Sequence, residues 1–261
     1  MAMLGAALAI GVAACSTTMP ASDAARYAAI VDSADRSPAD RVNDERRKPR
    51  ELLAFTGVRP GMVALDVSAA RGYTTELLAR AVGPTGKAYG QNAPRDPMRS
   101  PPPQAEGRAA PAPANASPAM PTLAERTSRI GHLVAVARPF EDPVPPEAAG
   151  SLDLVTLMFN YHDLGHLNVD RARMNQAIYR GLKPGGVYVI ADHSGRPGTG
   201  ISESGTLHRV EEEFVVREVQ AAGFKLAARG DFMRNPADPR DRNTPEPPMP
   251  KDEFVLKFVK P

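Results

Sequence analysis

Residues 64–74 read ALDVSAARGYT, and this stretch decides the fold. It begins with an apolar run, continues through a turn of small residues and passes into a segment of helix formers that extends to Val82. A short apolar run of this kind is typical of a strand that is buried on both faces of a parallel sheet. The sequence therefore predicts a strand over 62–67 and a helix over 74–82, joined by a tight turn.

Strand and helix signals alternate along most of the remaining chain. Further strands are predicted over 87–91, 130–137, 152–159 and 187–191, and helices over 38–55, 170–182 and 207–223. Two final strands, over 224–232 and 253–259, have no helix between them and should pair antiparallel at the sheet edge. This order predicts an α/β fold, with a doubly wound, mostly parallel sheet and an antiparallel C-terminal strand pair.

The turn over 66–72 resembles the first motif of class I S-adenosylmethionine-dependent methyltransferases, in which an acidic residue precedes Gly-x-Gly-x-Gly. The runs LKPGG (182–186), before the fifth strand, and FNYHD (159–163), after the fourth, are also similar to that family. The resemblance covers about residues 40–93 and 123–261 and extends to a bacterial group of methyltransferases, some of them exported. It implies a Rossmann-like methyltransferase fold and methyl transfer from S-adenosylmethionine to an oxygen or nitrogen of a small molecule.

The resemblance also implies the residues that bind the cofactor: Asp66, Ser68, Ala70, Gly72, Gln91, Asn92 and Asn160. Of the three motif glycines, only Gly72 is present. A left-handed backbone at Ser68 or Ala70 would cost roughly 1 kcal/mol or more. The family often places an acid after the second strand, where Gln91 and Asn92 stand here, and an amide binds ribose hydroxyls without the assistance of charge.

Two histidines follow the fourth and fifth predicted strands. Open α/β sheets bind ligands at the carboxyl ends of their strands, where His162 and His193 are expected. An imidazole there can deprotonate a hydroxyl or an amine near neutral pH. We therefore predict His162 and His193 as catalytic bases, and the alternative for each is a hydrogen bond that orders its loop.

No metal site is predicted, because no segment has a metal-ligand spacing such as His-Glu-x-x-His. The single cysteine, Cys15, excludes an internal disulfide and any cysteine-cluster site. His132 and His208 are interpreted as structural, the latter on the predicted helix over 207–223. The side chains that could still converge as ligands are His162, His166, Asp192 and His193.

Three charged features each have two interpretations. Asp66 either binds the amino group of the cofactor or caps backbone N–H groups of its own loop. Arg71 either clamps an anion, such as the cofactor carboxylate, or is a solvated surface cation. The basic run over 46–50 either forms a lid over an acidic ligand or is a solvated helix face, and such runs are more often solvated.

Residues 1–22 are interpreted as a signal peptide and tether. An uncharged apolar run is followed by VAAC (12–15), which resembles the bacterial lipobox and implies lipidation of Cys15. A lipid anchor at Cys15 would hold the protein on a membrane without spanning it, in the bacterial cell envelope and facing the periplasm. The alternative is a buried N-terminal helix with a cysteine in the core.

The methyltransferase-like domain is predicted over 23–261. Residues 94–121 hold nine prolines in 28 positions and almost no large apolar side chain, which predicts a disordered insertion within that domain. The 32 Lys and Arg residues exceed the 30 Asp and Glu residues by only two, which argues against a nucleic-acid binder. No Gly-x-Ser-x-Gly elbow and no phosphate-binding loop motif occurs, which excludes a serine hydrolase and a P-loop protein.

A second function stays open at this point. The broken glycine motif and the predicted export favour a non-catalytic, envelope-tethered binding protein that keeps the fold and has lost cofactor binding. S-adenosylmethionine is made in the cytoplasm, so the envelope has no obvious supply of it. A nicotinamide oxidoreductase is a weaker alternative, because the acid after the second strand is missing and the last two strands pair with each other.

Overall fold

The computed structural model describes residues 21–94, 120–245 and 249–261. Seven strands in these residues form one sheet, in the spatial order β3-β2-β1-β4-β5-β7-β6. The first five strands run parallel, and β7 is antiparallel to both β5 and β6. The predicted doubly wound sheet with an antiparallel C-terminal pair is confirmed. The strands are β1 (Val63–Val67), β2 (Lys87–Asn92), β3 (Leu133–Ala137), β4 (Leu152–Met158), β5 (Leu182–His193), β6 (Lys225–Gly230) and β7 (Glu253–Val259).

Eight α-helices in the described residues pack on and around the sheet. They are α1 (Ala21–Asp32), α2 (Pro38–Arg47), α3 (Pro49–Thr56), α4 (Tyr73–Val82), α5 (Leu123–Arg129), α6 (Asp163–His166), α7 (Arg171–Gly181) and α8 (Glu212–Ala221). Local sequence sets several of their ends. The Ser37 hydroxyl caps α2, Pro49 begins α3, and Gly57 ends α3 in the left-handed conformation.

The predicted helix over 207–223 is wrong at its start, because α8 begins only at Glu212. Val210 instead lies beside the end of β5: its N–H donates to His193 O, and its carbonyl accepts from Gly195 N–H. Residues held in this extended pairing cannot also form a helical turn. His208 therefore lies in a loop, with φ of 51°, rather than on the face of an amphipathic helix.

Both faces of the sheet are buried, which explains the continuous apolar runs in the sequence. Alternate side chains of a strand point to opposite faces, so Leu65 and Val67 enter one core and Ala64 enters the other. The first core also contains residues of α7 and α8, and the second contains residues of α1, α3 and α4. Because β1, β2, β4 and β5 run parallel, their carboxyl ends lie along one edge of the sheet. The strand order reverses between β1 and β4, where open α/β sheets form their ligand crevice.

A buried arginine holds this edge together. The Arg126 guanidinium, on α5, forms two hydrogen bonds of 2.8 Å to the Asp40 carboxylate of α2 and a further one to Glu76 of α4. Its Nε donates to the carbonyl of Arg71 in the motif turn, at 2.8 Å. One side chain thus connects two helices and the turn after β1 to α5.

No helix of the described residues is long and apolar enough to cross a membrane. The predicted signal peptide and the lipidation site Cys15 lie in residues 1–20, outside the described residues. Most of the insertion predicted over 94–121 also lies outside them, in residues 95–119.

We predict that Arg126→Met lowers the free energy of unfolding by about 3–5 kcal/mol. The side chains of Asp40 and Glu76 are almost fully buried. Removal of their shared cation takes the ion-pair partner of Asp40 and leaves Glu76 with Arg80 and the more distant Arg129. The matched control is Arg129→Met, which removes a 42% exposed cation 3.3 Å from the same Glu76 carboxylate. The control should lose no more than about 1 kcal/mol in urea unfolding. Equal losses in the two variants would contradict the prediction.

Candidate functional site

The turn after β1 keeps the backbone shape of a glycine-rich loop, although only one of its glycines is present. Ser68, Ala70 and Gly72 have φ angles of 58°, 50° and 86°, so all three are left-handed. For Ser68 and Ala70 this conformation costs about 1–2 kcal/mol each. The strain is offset by hydrogen bonds: Asn92 Oδ1 accepts from Ala70 N–H at 2.8 Å, and Asn92 Nδ2 donates to Ala70 O at 3.1 Å.

Packing explains why Gly72 is the glycine that remains. A Cβ atom on Gly72 would lie 2.7 Å from Leu123 Cδ1 and 3.0 Å from Arg126 Cδ, so α5 leaves no room for a side chain there. Ala70 is exposed, so its methyl group has space. Alanine at position 70 therefore costs backbone strain alone, whereas a side chain at position 72 would add a clash.

The predicted cofactor-binding residues are brought together, but several of them bind each other. Gln91 is fully buried; its Oε1 accepts from Ser68 N–H at 3.0 Å, and its Nε2 donates to Arg138 O at 2.6 Å. Ser68 Oγ donates to Asn160 Oδ1 at 2.8 Å, across the crevice between β1 and β4. Gln91 thus holds the turn through a hydrogen bond on its buried side. The half-buried Asn92 holds the turn from its other side, with both polar side-chain atoms on the backbone of Ala70.

Asp66 lies in β1 and is buried. Its carboxylate accepts hydrogen bonds from Thr75 Oγ1 at 2.6 Å and Thr156 Oγ1 at 2.8 Å, which connect β1 to α4 and β4. Burial raises the pKa of Asp66 to about 6, although the two hydroxyl bonds act in the opposite direction. The backbone N–H of Thr75, at the start of α4, also acts on this carboxylate and lowers its pKa.

Two cations at the end of α2 pack on the ring that follows β4. The Arg47 guanidinium lies 4.1 Å from the centroid of Phe159 and 5.8 Å from that of Tyr73. Arg46 lies over the same Phe159 ring and pairs with Glu253 at 2.6 Å. Within the described residues Arg47 has no ion pair or hydrogen bond. Burial lowers the pKa of Arg47 to about 10, so it remains a cation at neutral pH.

The other cations singled out in the sequence have their own partners. Arg71 donates to the carbonyl of Met120. Arg50, at the end of the basic run, pairs with the exposed Asp32. The interpretation of the run as a solvated helix face therefore fits Arg50 and does not fit Arg47.

His162 is buried between two carboxylates. Its Nδ1 lies 2.6 Å from Asp192 Oδ1, its backbone N–H donates to Asp192 Oδ2, and its Nε2 lies 3.1 Å from Asp163 Oδ1. Burial opposes protonation, but the two carboxylates outweigh it and raise the pKa of His162 to about 9. With no bound cation, His162 carries a proton at neutral pH. Its role as a base stays a prediction that requires the loss of this proton.

The pKa of His193 is shifted in the opposite direction to that of His162. Burial lowers the pKa of its imidazole, so the ring is neutral at pH 7 and can accept a proton. Its Nδ1 is buried and lies 3.1 Å from Glu253 Oε1, without the alignment of a hydrogen bond. The ring lies beside those of Phe159 and His162, at centroid distances of 5.6 Å and 5.3 Å. A cavity of about 500 Å³ reaches Glu253 from the side of α2.

Sequence reasoning missed His208. Its Nδ1 lies 2.9 Å from Asp163 Oδ1, and its ring is 5.6 Å from that of His162 and 5.7 Å from that of His166. Of the chain's five histidines, only His132 lies apart, with its Nε2 2.8 Å from Ala79 O. The pairing of Val210 with the end of β5 carries His208 to this edge, and no local pattern signals that return.

The fold has many counterparts among solved structures. An S-adenosylmethionine-dependent methyltransferase from Aquifex aeolicus is 16% identical, with a TM-score of 0.54 over 88% of this chain and 96% of its own. A second from Mesorhizobium loti is 13% identical, with a TM-score of 0.54 over 83% and 99%. The [4+2]-cyclase SpnF is 16% identical, with a TM-score of 0.54 over 85% and 81%. No family model and no curated protein matches the sequence. The chain has the class I methyltransferase fold, and these likenesses establish the fold alone.

We predict that Asp66→Asn changes how stability depends on pH. A carboxyl group with a pKa near 3.8 in the unfolded chain and about 6 in the folded protein binds its proton more tightly when folded. Its contribution to stability is complete below pH ~4 and is lost as the pH rises through ~6, by about 3 kcal/mol. Urea unfolding between these pH values should show this decline in the wild type and not in Asp66→Asn.

The control for this pH experiment is Asp32→Asn, which removes an exposed carboxylate on α1. Its stability curve should keep the wild-type decline. Parallel curves for the wild type and Asp66→Asn would show that Asp66 does not titrate in this range.

Proposed function

We propose that the protein is an S-adenosylmethionine-dependent methyltransferase that acts on an oxygen or nitrogen of a small molecule. The observation that carries this proposal is the left-handed backbone at Ser68 and Ala70. Strained backbone conformations cluster at active sites and ligand clamps, where a ligand requires their shape. The fold by itself is not sufficient support, because a cyclase shares it.

The residues at the crevice fit the chemistry of this cofactor. The Arg47 cation, which has no acidic partner among the described residues, suits the cofactor carboxylate. Ala70 is exposed, so a ligand can approach the turn there, and the second amide hydrogen of Asn92 Nδ2 suits a ribose hydroxyl. When bound, S-adenosylmethionine would supply a sulfonium methyl group to a nucleophile.

The acceptor is proposed to occupy the cavity that reaches Glu253. Apolar side chains of Phe232 and Met233 line it together with the cations Lys48 and Lys251. His193, which lies 3.1 Å from the Glu253 carboxylate in the wall of this cavity, is proposed as the base that takes the proton an acceptor hydroxyl or amine releases. Orientation of the acceptor in this cavity would supply most of the rate, as positioning does in reactions between two bound molecules.

Two observations favour the second function, a non-catalytic binding protein. The hydrogen bond between Ser68 Oγ and Asn160 Oδ1 crosses the crevice that the cofactor would enter. Gln91 also has both polar side-chain atoms bonded to backbone. On this alternative the turn keeps its shape through contacts within the protein and binds no S-adenosylmethionine.

Calorimetric titration with S-adenosylmethionine and S-adenosylhomocysteine separates the two functions. We expect binding in the micromolar range for the wild type. Arg47→Met should weaken it by about 10–100-fold, since a bond to a charged group is worth about 1.5–3 kcal/mol. Arg50→Met removes a nearby cation that already pairs with Asp32 and should bind as the wild type does.

A folded wild-type protein that binds neither ligand at millimolar concentration would refute the methyltransferase proposal and favour the binding protein. Binding that Arg47→Met and Arg50→Met weaken equally would refute the role of Arg47.

We also propose that the protein is tethered in the bacterial cell envelope through a lipid on Cys15. The support is the VAAC run at 12–15, in which the chain's single cysteine occurs. Cells fed labelled palmitate should incorporate it into the wild type and not into Cys15→Ser, and fractionation should place only the wild type with membranes. Recovery of both proteins in the cytoplasmic fraction would show that the anchor does not exist.

A further inference from the structure

We propose that His162, Asp163 and His208 form a binding site for a divalent first-row transition-metal ion. His162 Nε2 and His208 Nδ1 lie 3.1 Å and 2.9 Å from the same oxygen, Asp163 Oδ1. The three atoms all lie within 4.8 Å of one another. Neighbouring ligands of a tetrahedral zinc ion are about 3.3 Å apart when the bonds are about 2.0–2.1 Å long. Two of the three spacings are therefore already close to those of a metal site, and a small movement of the histidine rings would complete it.

The contacts around these ligands are those that orient metal-binding groups. The ring nitrogen of His162 that would not bind the metal, Nδ1, lies 2.6 Å from the buried Asp192 carboxylate. Metal-bound histidines almost always donate their second N–H to such a group. The other oxygen of Asp163, Oδ2, accepts from Asn160 Nδ2 at 2.9 Å. His162 and Asp163 would therefore keep their orientation when a metal ion replaces the contacts of the two histidines with Asp163 Oδ1.

The chemistry of the donors limits which ions fit. Two imidazoles and one carboxylate suit zinc, iron, nickel or copper better than magnesium or calcium, which prefer oxygen ligands. Three protein ligands also leave a coordination position open, as in catalytic zinc sites. The position would be accessible, because the side chains of His208 and Asp163 are 39% and 24% exposed. His166, whose Nδ1 lies 3.8 Å from Asp163 Oδ1, is near enough to approach a bound ion.

The site meets the proposed cofactor crevice at Asn160, which donates to Asp163, but metal binding does not require the cofactor. Its ligands come from the segment after β4 and from the loop before α8, whereas the crevice lies between β1 and β4. Metal binding is therefore measured without S-adenosylmethionine, and its failure would leave the methyltransferase proposal untouched.

The test is a titration of the full-length protein, stripped of metal by a chelator, with Zn²⁺ against a chromophoric competitor and with Co²⁺ by visible absorption. We expect one equivalent of each ion and a Co²⁺ spectrum with nitrogen and oxygen ligands. His208→Ala and Asp163→Asn should each weaken binding more than about 100-fold, because loss of an outer partner alone typically weakens it 10–100-fold. His132→Gln removes the one histidine outside the cluster and should bind as the wild type does.

Two outcomes would overturn the proposal. The first is a folded wild-type protein that binds neither ion at millimolar concentration. The second is a His208→Ala protein that binds Zn²⁺ as tightly as the wild type, which would place the ion elsewhere. His208 lies in a partly exposed loop, so this variant should fold, and circular dichroism checks that it does. If Asp163→Asn does not fold, His208→Ala decides the question alone.

Discussion

The buried Arg126 guanidinium is the contact on which the arrangement of the candidate site depends. It binds Asp40 of α2 and Glu76 of α4, and it holds the carbonyl of Arg71 in the motif turn. Because α2 carries Arg47, the same contact fixes the cation over the crevice relative to the turn. A guanidinium serves here because it can donate in several fixed directions at once, which an ammonium on a flexible chain cannot do.

Hydrogen bonds offset the backbone strain of the motif turn. Two non-glycine residues are left-handed, and the amide side chains of Gln91 and Asn92 supply the hydrogen bonds that hold them there. These amides stand near the end of β2, where the resembling family often has an acid. In this chain the two amides stabilise a turn that has serine and alanine at two of its three left-handed positions.

Asn160 connects the two halves of the site. Its Oδ1 accepts from Ser68 in the motif turn, and its Nδ2 donates to Asp163 in the histidine cluster. A rotation of this amide that opened the crevice would also release the carboxylate that the histidines share. Across that cluster, the carboxylates of Asp192 and Asp163 outweigh burial and raise the pKa of His162, whereas at His193 burial outweighs the carboxylates of Glu253 and Asp192 and lowers the pKa.

The sequence by itself determined the sheet. Strand periodicity, the turn at 66–72 and the helix-free final strands predicted the α/β class, the parallel strands and the antiparallel pair, because each depends on residues near one another in the chain. It also placed Asp66, Ser68, Asn160, His162 and His193 at the correct edge, since parallel strands end together. Only the tertiary structure decided which of these side chains bind each other. The positions of Arg126 and His208 are set by contacts with residues 86 and 45 positions away in the sequence. No local pattern encodes the direction of a returning loop.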